Sequence, residues 1–166
     1  MTHHSNAEIC EGSRRIAVPS GRFSLKFPVA WQVQAAQGEN SVLIVVAQTS
    51  DGGFRANINA LVHLNNCLTM DEYLTMSRLQ VFQLSGSRRL AHDQPARNIR
   101  NGHVFEWSAK LGAHELTMRQ LIVLHGDSIV IVTATANAAV FESHRTEFEA
   151  VLNSLEFCAE PDHIHL

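Results

Sequence analysis

Apolar and polar positions alternate along residues 101–136, and three strand-like runs there are separated by small turn pairs. The pairs are Asn101 with Gly102, Gly112 with Ala113, and Gly126 with Asp127. Each predicts a two-residue hairpin loop, because such loops need positive φ at a central position and glycine supplies it cheaply. With the segment before Asn101, this predicts a four-stranded antiparallel meander. A two-residue loop also fixes register. Around Gly112, Leu111 should face His114, Lys110 should face Glu115 and Glu106 should face Arg119. Around Asn101, Arg100 should face His103 and Arg97 should face Glu106. The row Arg97, Glu106, Arg119 then carries complementary charge, worth roughly 0.2–1 kcal/mol per pair.

The same register sorts side chains onto two faces. One holds Phe105, Trp107, Leu111, Leu116, Met118, Ile122, Leu124, Ile129 and Ile131, and must be covered. The other starts polar, with Val104, Glu106, Ser108, Lys110, Glu115, Thr117 and Arg119, and ends apolar, with Leu121, Val123, Val130, Val132 and Ala134.

Elsewhere the period changes. Residues 14–18 lead into Phe23, Leu25 and Phe27, which alternate with Ser24 and Lys26 as a half-buried strand that Pro28 stops. Trp31, Val33 and Ala35 resume it. Residues 41–48 are apolar on both faces and predict a central, doubly covered strand. Residues 55–64 alternate again. Thr69 and Glu72 have capping-box spacing, and Met70, Tyr73, Leu74, Val81 and Leu84 follow at helical intervals, which predicts a helix over 70–84. Gly86 ends it, residues 87–92 form a short strand, and Asp93, Gln94 and Pro95 turn into the meander. After the meander, Asn137 is the expected N-cap of a second helix. Its face is Phe141, Arg145, Phe148, Val151, Leu152 and Leu155, and it should cover the fully apolar face of the meander. Residues 156–158 would add an edge strand. The expected organisation is a flexible segment at 1–13, a single domain at 14–158 and a loose tail at 159–166.

Composition narrows the functional classes. With 166 residues, 45% of them hydrophobic, the chain can bury a real core. A net charge of -3 gives no electrostatic basis for nucleic-acid or anionic-membrane binding. Cys10, Cys67 and Cys158 cannot all pair within one chain, so a reducing compartment is expected. The first residues contain no apolar leader core, and no run is long enough to span a membrane. The expected location is cytoplasmic.

Candidate chemistry is sparse. His63 and Cys67 are four apart, but at a strand end and loop, where that spacing gives no shared face. Asp162, His163 and His165 offer weak metal-ligand spacing in a tail, and His3 with His4 is similar. No phosphate-cradling loop and no nucleophile elbow is present. His125, Asp127 and Ser128 sit together at a hairpin tip, where turn chemistry accounts for them. Cys67 reads as an inert thiol. No catalytic, cofactor or metal site follows from the sequence. Arg97, Glu106 and Arg119 form either an anion site or a solvated charge ladder. The apolar end beside them, Val104, Leu121, Val123, Val130 and Val132, is either core or, if uncovered, a groove for a partner's apolar helix.

Four stretches resemble the PsbP-like superfamily, which includes the photosystem II subunit PsbP, the Ran-binding Mog proteins and the bacterial DcrB, LpqN and EagR-type proteins. They are Phe23-x-Leu25-x-Phe27-Pro28-x-x-Trp31, the helix opening Thr69-x-Asp71-Glu72-Tyr73-Leu74, the strand over 129–136, and Phe148-x-x-Val151-Leu152-x-Ser154-Leu155-x-Phe157. The resemblance covers about residues 21–158. It implies an α+β fold, an antiparallel β-sheet with C-terminal meander flanked by helices in a PsbP-like α/β sandwich. It implies binding or assembly roles rather than a shared enzyme activity. EagR-type members are cytoplasmic chaperones that hold apolar segments of secreted type VI effectors. The expected function is therefore a non-enzymatic protein-binding domain, an EagR-like chaperone or adaptor. The alternative is a small-molecule or lipid-binding module. The expected partner surface is Arg97, Val104, Glu106, Arg119, Leu121, Val123, Val130 and Val132. A homodimer through an open edge or apolar face is a further expectation.

Overall fold

The computed structural model describes residues 12–159 other than 19, 21, 37 and 85. The elements run β1 (Ser13–Val18), β2 (Phe23–Pro28), β3 (Gln32–Gln34), β4 (Ser41–Val46), β5 (Asn57–Leu64), α1 (Met70–Phe82), β6 (Arg88–Pro95), β7 (Gly102–Leu111), β8 (His114–His125), β9 (Ser128–Asn137), α2 (Phe141–Asn153) and β10 (Glu156–Phe157). Seven strands form one antiparallel sheet in the order β3-β4-β5-β9-β8-β7-β6. The meander is its last four strands. A second sheet, β1-β2-β10, joins the first two described strands to the last. Arg15 secures that junction by donating to Ser24 Oγ, the Ser154 carbonyl and Glu156.

Two of the three expected hairpin loops form as the glycines dictate. Leu111 pairs with His114, Lys110 with Glu115 and Glu106 with Arg119, and His125 pairs with Ser128 across the next turn. The first turn differs. Asp93, Gln94 and Pro95 are not a turn but the end of β6, paired with Phe105, Val104 and His103. The chain reverses over 96–101 instead, closed by the Ala96 amide donating to the Gly102 carbonyl and the Gly102 amide to Ile99. Asn101 supplies the positive φ, at 55°. Gly102 is needed for space, since a Cβ there would sit 3.0 Å from the Ile99 carbonyl oxygen. The longer loop carries Arg97 away from Glu106. Pro95 fits because β6 is an edge strand, where a missing N–H leaves no ladder partner unpaired.

Both helices have identifiable causes. Thr69 Oγ1 accepts from the Glu72 amide while the Glu72 carboxylate accepts from the Thr69 amide, a complete capping box for α1. Asn137 does not cap α2. Its side chain accepts from the Ala139 amide in a local turn, and Val140 occupies the N-cap without a side-chain bond.

The helices take the faces in the opposite sense from the expectation. Phe141, Phe148, Val151 and Leu152 of α2 pack on the valine-rich face, over Leu121, Val123, Val130, Val132 and Ala134. Phe23, Leu25 and Phe27 of β2 join the same core, as does Trp31, whose ring meets Phe148 edge-on at 6.1 Å between centroids. The physical reason is volume. That face is floored by valine and alanine, which leaves room for a row of phenylalanines from above. Burying each phenylalanine contributes about 1.5–3 kcal/mol. The other face already carries large side chains. Its coverage by α1 is thin: Leu74 joins a cluster with Ile122, Ile129 and Ile131, and Val81 joins one with Phe105, Trp107 and Met118.

A buried ion cluster and its cleft

Glu106 on β7 points from the sheet toward α2, with its side chain only 2% exposed. Its cross-strand partner Arg119 donates Nη1 to Oε2 at 2.9 Å. Arg145 of α2 descends from above and grips the same carboxylate with both terminal nitrogens, at 2.9 and 3.0 Å. Arg145 also donates to Glu142 from Nε and Nη2, while its guanidinium lies 5.2 Å from the centre of the Phe141 ring. Arg119 reaches Glu149 at 3.2 Å. Burial pushes the Glu106 carboxyl up, but the hydrogen bonds from Arg145 and Arg119 outweigh it and hold it below its ordinary range. Glu142 and then Glu106 strengthen the hold of Arg145 on its proton.

The Arg–Glu–Arg arrangement expected on the sheet therefore exists with a different second arginine. Arg145 stands where Arg97 was expected, because the long 96–101 loop removes Arg97 and α2 delivers Arg145. One signal in the sequence pointed to it. Arg145 lies on the apolar face of its helix, four residues after Phe141, where a guanidinium needs a buried counter-charge.

Beside the cluster lies a polar cleft of about 400 Å³, open to solvent, between α2 and the 96–101 loop. Arg97, Val104, Arg119, His92, Glu149 and Asn153 are among its walls. The structure thus brings Arg97, Val104 and Arg119 together, with Glu106 behind them. It does not bring Leu121, Val123, Val130 and Val132 to any surface. Each is at most 1% exposed. Those four are core, covered by α2 and β2, so the apolar end offers no groove.

A second ion cluster pins α1. Arg78 donates to both oxygens of Asp93, at 3.0 and 2.7 Å, and His103 Nε2 sits 2.7 Å from the same carboxylate. Arg78, and more weakly His103, hold the Asp93 carboxyl down at about 2 against the opposing effect of burial.

The remaining candidates are placed as follows. Cys67 is exposed, at φ 63°, in the loop beyond β5. His125 stacks on Phe157 with ring centres 3.8 Å apart, a packing role at the junction of the sheets. His3, His4, Cys10, Asp162, His163 and His165 lie outside the described residues. Among the described residues, no three His, Cys, Asp or Glu side chains group as a metal site, and no helix is long and apolar enough to cross a membrane.

The sequence reading missed one feature entirely. Met76, Leu79 and Phe82 are 47%, 59% and 64% exposed along the outer side of α1. Spaced three apart, they form one stripe. The clue was that residues 70–84 are apolar on two sides rather than one.

No protein-family model matches the sequence, and no curated protein matches it. Solved structures do. Cyanobacterial PsbP from Synechocystis is similar with a TM-score of 0.66 at 8% identity, over 88% of this chain and 92% of that one. LpqN of Mycobacterium tuberculosis, described as involved in cell envelope biogenesis, gives 0.66 at 10% identity over 89% and 91%. The Ran-binding protein Mog1p of Saccharomyces cerevisiae gives 0.63 at 6% identity over 87% and 95%. At these identities the likeness is one of architecture, and it extends over nearly the whole of each chain. The chain has the PsbP-like α+β fold.

Proposed function

We propose that this chain is a non-catalytic protein-binding domain, acting as an EagR-like chaperone or adaptor, and that α1 presents the surface on which an apolar helical segment of the partner docks. The observation that carries this reading is the stripe of Met76, Leu79 and Phe82, exposed on a helix whose inner side buries only Leu74 and Val81. Exposing three large apolar side chains in a row is unfavourable unless a partner covers them. Three-residue spacing suits a helix laid alongside. Binding by a protein of this fold has a precedent in the Ran-binding name of Mog1p. A cytoplasmic setting belongs to the same proposal, since Cys67 and Cys158 are free and exposed.

The test uses a labelled Leu/Ala-rich helical peptide and fluorescence anisotropy on the full chain. Leu79→Glu and Phe82→Glu should each weaken binding at least about tenfold, as expected for truncating a central apolar anchor. Gln34→Glu, on the exposed edge strand β3 away from α1, should leave it unchanged. Equal binding by all four proteins would remove α1 as the docking surface. A concentration-dependent doubling of mass abolished by Leu79→Glu would instead make a second copy of the chain the occupant.

A further inference from the structure

In the cleft beside the Glu106 cluster, two guanidiniums face one carboxylate. Arg97 of the 96–101 loop and Arg119 of β8 line it, against Glu149 of α2. His92, Asn98 and Asn153 are further polar walls.

The two arginines are held very differently. Arg119 has a side chain only 10% exposed. Its Nη1 donates to Glu106, which is 2% exposed, and that bond is closed off behind the cleft wall. Its Nη2 reaches Glu149 at 3.2 Å, and Glu149 is 41% exposed. Both members of this outer pair line the cleft, so the pair lies at its wall. An ion pair with one end in water contributes little, because water competes for the carboxylate and long side chains must be held still. An incoming carboxylate can therefore take the place of Glu149 while Glu106 keeps the inner end of Arg119. Arg97 is exposed, and none of the ion pairs among the described residues involves it. Its planar fork of donors matches a carboxylate.

We propose that this cleft binds a carboxylate on a small polar body, held by Arg97 and the outer nitrogen of Arg119. Glu149 occupies part of that place until it is displaced. A carboxylate is favoured over a phosphate dianion, because Glu106 lies behind Arg119 and Glu149 stays nearby, and both repel a second negative charge. The volume of about 400 Å³ suits a ligand of small-molecule size. A free carboxylic acid and a peptide C-terminus share this chemistry. Asn98 and Asn153 can in addition donate to and accept from the amide of a peptide. No residue of α1 lines the cleft, so the site stands independently of the Met76, Leu79 and Phe82 stripe.

The test titrates N-acetyl-alanylglycine, its C-terminal amide and acetate into the full chain, with sodium chloride keeping ionic strength constant. The readout is the backbone amide signals of Arg97, Asn98 and Asn153 in a proton–nitrogen correlation spectrum. The acid should shift them to saturation. Its amide should bind at least about tenfold more weakly, the value of a charge-assisted hydrogen bond. Arg97→Gln should weaken the acid by about the same factor for the same reason. Glu149→Gln should do the reverse and tighten it about two- to fivefold, since the competing exposed carboxylate is gone. Neither substitution touches a buried side chain, so both proteins fold. Acetate bound as tightly as the dipeptide would make a free acid the source, and a tighter dipeptide would make it a peptide C-terminus. The proposal is overturned if no signal saturates, if acid and amide bind alike, or if Glu149→Gln leaves the affinity unchanged or lowers it.

Discussion

Glu106 is the residue on which the seating of α2 depends. Its carboxylate is nearly inaccessible and carries two guanidiniums, from Arg119 and Arg145. Removing the charge leaves both arginines partly buried without it, so Glu106→Gln should cost about 3–5 kcal/mol, read as a shift of the urea midpoint. Glu106→Met together with Arg145→Met should cost clearly less than Glu106→Gln alone, because the variant removes both the charge and one of its partners. Asp93 makes a different prediction. Its folded value is depressed from 3.8 to about 2. The stability it contributes is therefore fully present above the unfolded value, and is lost as the pH falls through the folded one. Urea titrations of wild type and Asp93→Asn should converge as the pH drops from about 4 to about 2, and a constant gap would show that Asp93 is not coupled to folding.

At the scale of elements, the two helices differ in how firmly they are held. α2 buries Phe141, Phe148, Val151 and Leu152 and is anchored by the Glu106 cluster. α1 buries only Leu74 and Val81, and its polar tie is Arg78 with Asp93. Hydrogen exchange should therefore show α1 amides opening at a lower free energy than those of α2 and β8, since few buried apolar contacts oppose local opening. Arg78→Ala should accelerate exchange in α1 while leaving α2 unchanged. Phe148→Ala should cost about 3–5 kcal/mol and lower protection across the valine-rich core. Uniform protection over both helices would contradict this ranking.

Across the whole molecule, the first and last described strands are joined through β2. Phe157 of β10 pairs with Phe23 of β2, and His125 at the tip of the β8–β9 hairpin stacks on the same Phe157 ring. Such long-range closure, in a sheet whose β5 pairs with β9 across both α1 and most of the meander, predicts slow folding, on the order of milliseconds to seconds. Stopped-flow fluorescence of Trp31, which lies in the core that β2 and α2 complete, should report that phase. A microsecond phase carrying the full amplitude would mean that local structure alone places Trp31.

The sequence by itself determined the features that depend on near neighbours. The Gly112 and Gly126 loops, the Glu106–Arg119 register, the capping box at Thr69 and the division of the meander into two faces all rest on spacing within a few residues, where backbone sterics and side-chain alternation decide. The PsbP-like architecture was legible for the same reason, from core and turn residues in fixed order. Tertiary structure decided the rest. The 96–101 loop depends on how Ala96, Ile99 and Gly102 pack, so Arg97 was misplaced by a turn that looked simpler. Which helix covers which face depends on the volume left above valines and alanines, a property of the assembled sheet. The partner of Glu106 came from a helix 39 residues away. The exposed stripe on α1 and the Arg97 cleft exist only once the rest of the chain has taken its places, because exposure and an open cleft are defined by what fails to arrive.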